Sequence, residues 1–399
     1  MLDEFEARSR ILAAATPAAA EAVPLRDALG AYAAEDIAAK LALPGFDNSQ
    51  VDGYAVRARE AFHGARLNIS GKQPAGANRG LTVSHGEAIR IFTGAPIPNE
   101  VDAVVMQEDT EIFSKGRIRI REGVDEGDFI RRKGSDLCVG QKILQHGDLL
   151  TPSRVGVLAS QGMTEVNVRQ PRVAVVTTGD ELVNPGGELP DGAIFNSNGP
   201  MLASAVHKLG VTRVTERHAP DETKKLTETL EAALGDSDVC IIAGGVSVGE
   251  HDLVKGVLGK LGVDGGFWRV RVKPGKPLFF GKKGDRLVFG LPGNPVSAYI
   301  TFQLFVRPAL LRVAGAKIPD EAPPLPTRDA DLTDEVVNDR GNRPHYVRGW
   351  FDETAETFRP VGLQQSHALY GMSRTNALVR VDVDEKLPAR THVKCLLMD

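Results

Sequence analysis

The chain holds 399 residues with 48 basic against 52 acidic side chains, a net charge of −4; this is roughly two to three usual domain lengths, with no global field to draw in nucleic acid or an anionic membrane. Its three cysteines, Cys138, Cys240 and Cys395, are far apart, lack metal-ligand spacing and cannot all pair within one chain, which fits a reducing cytoplasm. The acidic opening MLDEFEARSRILAAA is unlike an export signal, and no segment approaches the ~20 apolar residues of a membrane span, so a cytoplasmic protein that grips any anionic ligand locally is expected.

Residues 3 to 40 read as helices, with Phe5, Ile11 and Leu12, then Leu25, Leu29 and Ile37, recurring on one apolar face. A loop rich in Gly, Pro and Asn, LPGFDNSQVDGYA, follows from Leu43. From about 66 to 145, alternating runs such as Arg117-Ile118-Arg119-Ile120-Arg121, separated by glycines, predict half-buried strands of a small β-rich domain. Thr151 or Ser153 caps a helix through Leu158, and a different pattern begins at Arg172. From about 171 to 312, β-rich runs (Val173 to Thr177, Val239 to Ala243, Leu287 to Gly290) alternate with helical stretches near Met201 to Leu209 and Asp221 to Leu234. That alternation predicts a parallel sheet covered by helices on both faces. The segment IPDEAPPLPT reads as a linker, and the residues after it alternate without helical period, as a small C-terminal β domain does.

In an open parallel sheet, ligands bind beyond the carboxyl ends of the strands. Three loops fall there: Thr177-Thr178-Gly179-Asp180-Glu181-Leu182, then Gly244-Gly245-Val246-Ser247-Val248-Gly249-Glu250-His251-Asp252, then Leu291-Pro292-Gly293-Asn294-Pro295-Val296-Ser297. Each alone is an ordinary strand-to-helix turn; together, their glycines bring backbone N–H groups close to a ligand. Pro295 suits the first turn of a helix Val296 to Leu311, whose next N–H groups would face an anion. Upstream, two prolines in Lys273-Pro274-Gly275-Lys276-Pro277 stiffen a turn that presents two ammonium groups, as an oxyanion requires.

TTGDEL, GGVSVGEHD, KPGKP and LPGNPVS, in this order, resemble the molybdopterin molybdenumtransferases, the family that includes bacterial MoeA and the C-terminal domain of gephyrin. PGFDNSQVDGYA from Pro44 matches the family's front signature and FTGAPIP from Phe92 a second, so the resemblance spans essentially the whole chain. It implies a multidomain α/β protein: a helical domain from 1–44 and 146–170, a β-rich inserted domain at 45–145, a doubly wound, mostly parallel α/β molybdopterin-binding domain at 171–316, and a C-terminal β-barrel at 317–399. It further implies an elongated homodimer whose cleft is completed by the partner subunit. The implied reaction takes adenylylated molybdopterin and molybdate, releases AMP and leaves molybdenum on the pterin sulfurs, the last common step of molybdenum cofactor biosynthesis. Other proteins of that biosynthesis are the further partners it implies, with no nucleic acid and no membrane.

The same resemblance carries over residue roles. Asp52, Thr93, Glu181 and Asp252 match positions tied to catalysis, and the carboxylates of Glu181, Asp221 and Asp252 match the nucleotide or metal side, where hard oxygens suit Mg2+. Asp221 also reads as a cap of the apolar helix that follows it. Lys273, Lys276, Ser297 and Arg348 are implied to hold molybdate or pterin phosphate, with Gly244, Gly245, Ser247, Pro292, Gly293, Asn294 and Pro295 around the phosphate or pterin edge. Asp136, in a further matching turn, reads equally as structural. Gln50, Val51 and Arg269 depart from the family's usual residues but leave Asp52, Gly53 and the positive charge in place. Two rival readings are an adenylyltransferase that activates molybdopterin, which needs neither the front signature nor a barrel, and a non-catalytic scaffold.

Overall fold

The computed structural model describes residues 1–245, 253–338 and 341–398. Two compact units divide the chain: Met1–Glu35, Gln145–Ala159 and Met163–Asp399 form one, and Asp36–Leu144 with Ser160–Gly162 the other.

The first unit is built on a six-stranded sheet in the order Val214–Ala219, Val173–Thr178, Val239–Ala243, Arg286–Leu291, Pro277–Lys283, Asp264–Arg269. The first four strands run parallel, and the last two add as an antiparallel edge. The parallel strands are continuously apolar because both faces are covered. Val173, Val175, Ile241 and Phe289 pack with Leu202 and Val206 on one face; Ala174, Val176, Ile242 and Val288 pack with Leu226, Leu230 and Val254 on the other. Period-two alternation thus feeds two cores, and each large apolar side chain sealed there contributes about 1.5–3 kcal/mol. Cys240 lies in the second of these cores and Cys395 in a separate one nearer the C-terminus, and burial pushes both thiols up to about 12.

The expected helix Val296 to Leu311 is three consecutive pieces: α over Pro295–Thr301, a π turn over Phe302–Val306, and α again over Arg307–Val313. Pro308 explains the interruption, because it has no N–H and its ring crowds the carbonyl four residues back. A larger correction concerns residues 3 to 40. Only Glu4–Ala14 is α-helical, capped by Asp3 accepting from the Phe5 N–H at 2.9 Å, with a single 3-10 turn at Leu25–Asp27. Pro17 follows the helix, and Ala20–Pro24 is a strand paired antiparallel with Glu165–Arg169. Leu29 and Phe5 are exposed, not core. Farther on, Thr151 Oγ1 accepts from the Arg154 N–H at the start of helix Pro152–Ser160.

Beyond the α/β sheet, Thr327–Leu332, Thr357–Pro360, His345–Asp352, Ala377–Val381 and His392–Leu397 close a five-stranded barrel. Leu332, Val347, Phe351, Phe358 and Val379 fill it. The barrel shares a core with the sheet, since Tyr346, Leu378 and Leu396 join the cluster around Phe289. In the second unit, six strands order as Ala103–Met106, Gly53–Val56, Glu87–Ile91, Arg66–Gln73, Arg117–Ile120 and Thr110–Ser114. Ile118 and Ile120 are fully buried between outward arginines, as their alternation predicts. Among the described residues, no helix is long and apolar enough to cross a membrane.

One ion pair fastens the N-terminal helix to the barrel. Glu4 is only 3% exposed, and Arg380 Nε donates to its Oε1 at 2.5 Å. The Phe5 ring, 5.3 Å from the Arg380 guanidinium, covers the pair. Burial holds the Glu4 carboxyl above its usual range while Arg380 opposes the rise. Arg380→Ala leaves a buried carboxylate without its cation and is expected to destabilise the protein by about 3 kcal/mol at neutral pH. A carboxyl whose folded pKa is raised favours folding at low pH and disfavours it as pH rises through that pKa. The deficit should therefore shrink toward pH 4.5, as urea unfolding of variant and parent at pH 4.5 and 7.5 will measure; an equal deficit at both pH values contradicts this account.

Candidate functional site

The carboxyl ends of three neighbouring parallel strands open onto one cavity of about 700 Å3. Thr178, Gly179 and Glu181 line it from the first strand end, Gly244 and Gly245 from the second, and Pro292 to Pro295 from the third. The glycines are a steric necessity. A Cβ on Gly244, at φ +98°, would stand 2.6 Å from the Thr178 carbonyl oxygen, and one on Gly245, at φ +64°, would stand 2.4 Å from Val254 Cγ2. The Gly244 N–H donates to the Leu291 carbonyl and the Val296 N–H to the Ser366 carbonyl, both at 3.2 Å. Those two amides are thus engaged within the chain, while Gly245, Gly293 and Asn294 line the cavity.

One side of the cavity is acidic. Glu181 and Asp221 both line it, and the Asp221 N–H donates to Asp180 Oδ1 at 3.0 Å. Partial burial, then the charges of Asp180 and Glu181, push the Asp221 carboxyl up. The alternative role for Asp221 as a helix cap does not hold: the helix starts at Thr223, and Glu222 occupies the cap position. Two further polar atoms at this wall, Thr178 Oγ1 and Asn198 Oδ1, are buried without a hydrogen-bond partner among the described residues. Such atoms are uncommon in folded proteins.

Several expected site residues stand elsewhere. Ser297 is buried in its helix, where its carbonyl accepts from Thr301 Oγ1 at 2.7 Å. From the lysine turn, Pro277 reaches the cavity wall, whereas Lys273 and Lys276 do not line it. A Cβ on Gly275 would meet Thr301 Cγ2 at 2.3 Å, so this turn lies against the helix that follows the third loop. Arg348, expected to touch substrate, is 1% exposed; its guanidinium donates to the carbonyls of Leu363, Gln365 and Ala368. It holds the loop that carries His367 and Leu369 to the cavity. Asn294 Nδ2, donating to Ser366 Oγ at 3.2 Å, ties that loop to the third strand end. Ser247 and Asp252 lie outside the described residues.

In the second unit, Asp52 and Thr93, from separate motifs, meet directly. The Thr93 N–H and Oγ1–H both donate to Asp52 Oδ1 at 2.8 Å and hold its carboxyl below the usual range. Arg90 stacks between Tyr54 and Phe92, with its Nη1 donating to the Gly53 carbonyl at 2.9 Å, and so stiffens the strand beside Asp52. The Asp136 N–H donates to the Leu43 carbonyl, while Arg132 and the Lys133 N–H donate to Asp47, so this turn braces the front signature. Sequence reasoning missed Ile194, Phe195 and His367 in the cavity wall. The polar run Asn196-Ser197-Asn198 just before an apolar helix was a readable signal; His367 had none.

Three family models match this chain: "MoeA N-terminal region (domain I and II)" over residues 3–162, "Probable molybdopterin binding domain" over 174–312, and "MoeA C-terminal region (domain IV)" over 330–397. Molybdopterin molybdenumtransferase 2 of Mycobacterium tuberculosis is 37% identical over 374 residues, 91% of each chain. The molybdopterin molybdenumtransferase of Haemophilus influenzae is 36% identical, over 95% of this chain and 94% of its own. The crystal structure of the molybdopterin biosynthesis moeA protein from Pyrococcus horikoshii superimposes with a TM-score of 0.83 at 30% identity, covering 100% of this chain and 99% of that one. With its three strand-end loops, its barrel and its front signature all matched along the full length, the chain belongs to the molybdopterin molybdenumtransferase family.

Proposed function

We propose that this chain transfers molybdenum from molybdate onto adenylylated molybdopterin and releases AMP, as a cytoplasmic homodimer. The observation that carries the reading is the single cavity in which a glycine-built backbone cradle faces the carboxylates Glu181 and Asp221. A phosphate-bearing heterocycle needs close amides, and a phosphoanhydride needs charge compensation near its leaving group. The orphaned Thr178 Oγ1 and Asn198 Oδ1 offer a hydroxyl and an acceptor to the same ligand. An adenylyltransferase reading requires neither flanking region, yet family models match both of them.

Mg2+ is the ion this reading assigns. Among the described residues no group of three His, Cys, Asp or Glu side chains forms a metal cage. Mg2+ requires none, since it takes one or two protein carboxylates and completes its shell from substrate phosphates and water. The like charges crowding Asp221 are what a dication relieves. When bound, it neutralises charge building on the leaving phosphate. Glu181 and Asp221 hold and orient it, the backbone at Gly245 and Gly293 fixes the phosphate, and Arg348 acts indirectly through its loop. Asp52, kept ionised by Thr93, belongs to the same reaction in this reading, as do the four domains and the lysine pair Lys273 and Lys276 as oxyanion holders.

Purified protein given adenylylated molybdopterin, Mg2+ and molybdate should release AMP in a molybdate-dependent manner; retention of the nucleotide under those conditions overturns the reading. Glu181→Gln is expected to slow release roughly 10- to 100-fold, with partial recovery at high Mg2+. Gly245→Ala, strained by its positive φ and its clash with Val254, should lose about 1–2 kcal/mol of stability, and its substrate KM should rise. Thr93→Val removes one of the two bonds to Asp52, so the Asp52 titration should move upward in carboxyl carbon NMR. An unmoved titration would remove Thr93 from the account of Asp52.

A further inference from the structure

We propose that the cleft between Trp350, Arg359 and Arg374 on the outer face of the barrel is a second binding site, for a planar heteroaromatic phosphate such as a nucleoside monophosphate or a phosphorylated pterin. The cleft holds about 560 Å3, within the range of small-molecule sites. None of its lining residues lines the larger cavity at the strand ends.

Its three key side chains are placed by the backbone. Trp350 and Arg359 are directly opposed on neighbouring antiparallel strands, which sets indole and guanidinium side by side. Asn376 clamps the residues flanking Trp350: its Oδ1 accepts from the Phe351 N–H at 2.7 Å, its Nδ2 donates to the Phe351 carbonyl at 3.0 Å, and its N–H donates to the Gly349 carbonyl at 3.1 Å. Arg374 arrives from the turn after Leu369–Met372, and a near-contact of Gly362 with Gly371 brings that turn in. A Cβ on Gly362 would stand 3.1 Å from Gly371 Cα.

The chemistry of the cleft selects its ligand. Trp350 is 46% exposed, although an indole is normally covered and its ring face stacks well on another flat ring. Neither arginine has a carboxylate partner among the described residues, and Arg374 lies over the Tyr370 ring at 5.8 Å. Guanidinium forks match phosphate oxygens. A cationic ligand would be repelled, and a bare oxyanion would leave the indole uncovered. A flat ring carrying a phosphate satisfies all three side chains.

The chain has two tryptophans, so Trp268→Phe in the full-length protein leaves Trp350 as the single fluorophore. That variant is titrated with AMP, with 6-hydroxymethylpterin phosphate and with inorganic phosphate. Saturable quenching by one or both ring phosphates, weakened at least tenfold in Arg359→Ala/Arg374→Ala, supports the site, and the stronger of the two names its source. Quenching by inorganic phosphate to the same extent means an anion site only and overturns the proposal, as does no quenching or quenching that survives the double substitution. Should Trp268→Phe misfold, calorimetric titration of the unaltered protein serves: two sites falling to one in the double arginine variant support the proposal, and one site in both overturns it. These are equilibrium-binding readouts, so they stand or fall apart from the transfer reaction.

Discussion

The site depends on how closely three strand ends approach one another. With its Cα beneath the Thr178 carbonyl, Gly244 sits where any side chain would collide, and that approach lets the second and third loops share one cavity with Glu181. The approach is itself a product of the parallel register, in which Val173 pairs with Val239 and Val239 with Leu287. Strands fixed level with one another finish level, and their loops then compete for the same space. Only residues without a Cβ resolve that competition without displacing the sheet.

The second organising feature is the junction of sheet and barrel. Tyr346, Leu378 and Leu396 continue the core that begins at Phe289, and the pair Glu4–Arg380 pins the first helix across it. From the loop beside the barrel, His367 and Leu369 reach the cavity. Among the described residues Arg348 is the largest side chain buried below 2% exposure, and its guanidinium fixes a loop. A guanidinium inside a protein is tolerated when its donors find acceptors, and the carbonyls of Leu363, Gln365 and Ala368 accept from its two terminal nitrogens.

Much of this architecture was legible from the residues alone. The runs Val173 to Thr177 and Val239 to Ala243 are apolar at every position, which only a sheet covered on both sides allows, and the glycines after them announced the cradle. What escaped was either non-local or dependent on rotamer and register. Leu25, Leu29 and Ile37 fit a helical spacing, yet Pro17 and Pro24 interrupt the chain and Ala20–Pro24 pairs with the distant segment Glu165–Arg169, Ala20 opposite Arg169 and Pro24 opposite Glu165. Ser297 and Arg348 carry polar groups that suggest solvent or substrate, but helix phase and strand direction turn both inward. His367 enters the cavity through a fold-back of the barrel loop that no local pattern encodes.

The Arg348 clamp has an evolutionary corollary. Its guanidinium grips main-chain oxygens, which every amino acid supplies, while two side chains of residues 363–368 are committed to the frame: Gln364, bonded to the Arg348 backbone, and Ser366, bonded to Asn294. Mutational drift at the other positions of that stretch can change the exposed side chains while the main-chain bonds to Arg348 stay in place. A frame fixed at two side chains and a few carbonyls leaves the remaining positions open to change without rebuilding the loop.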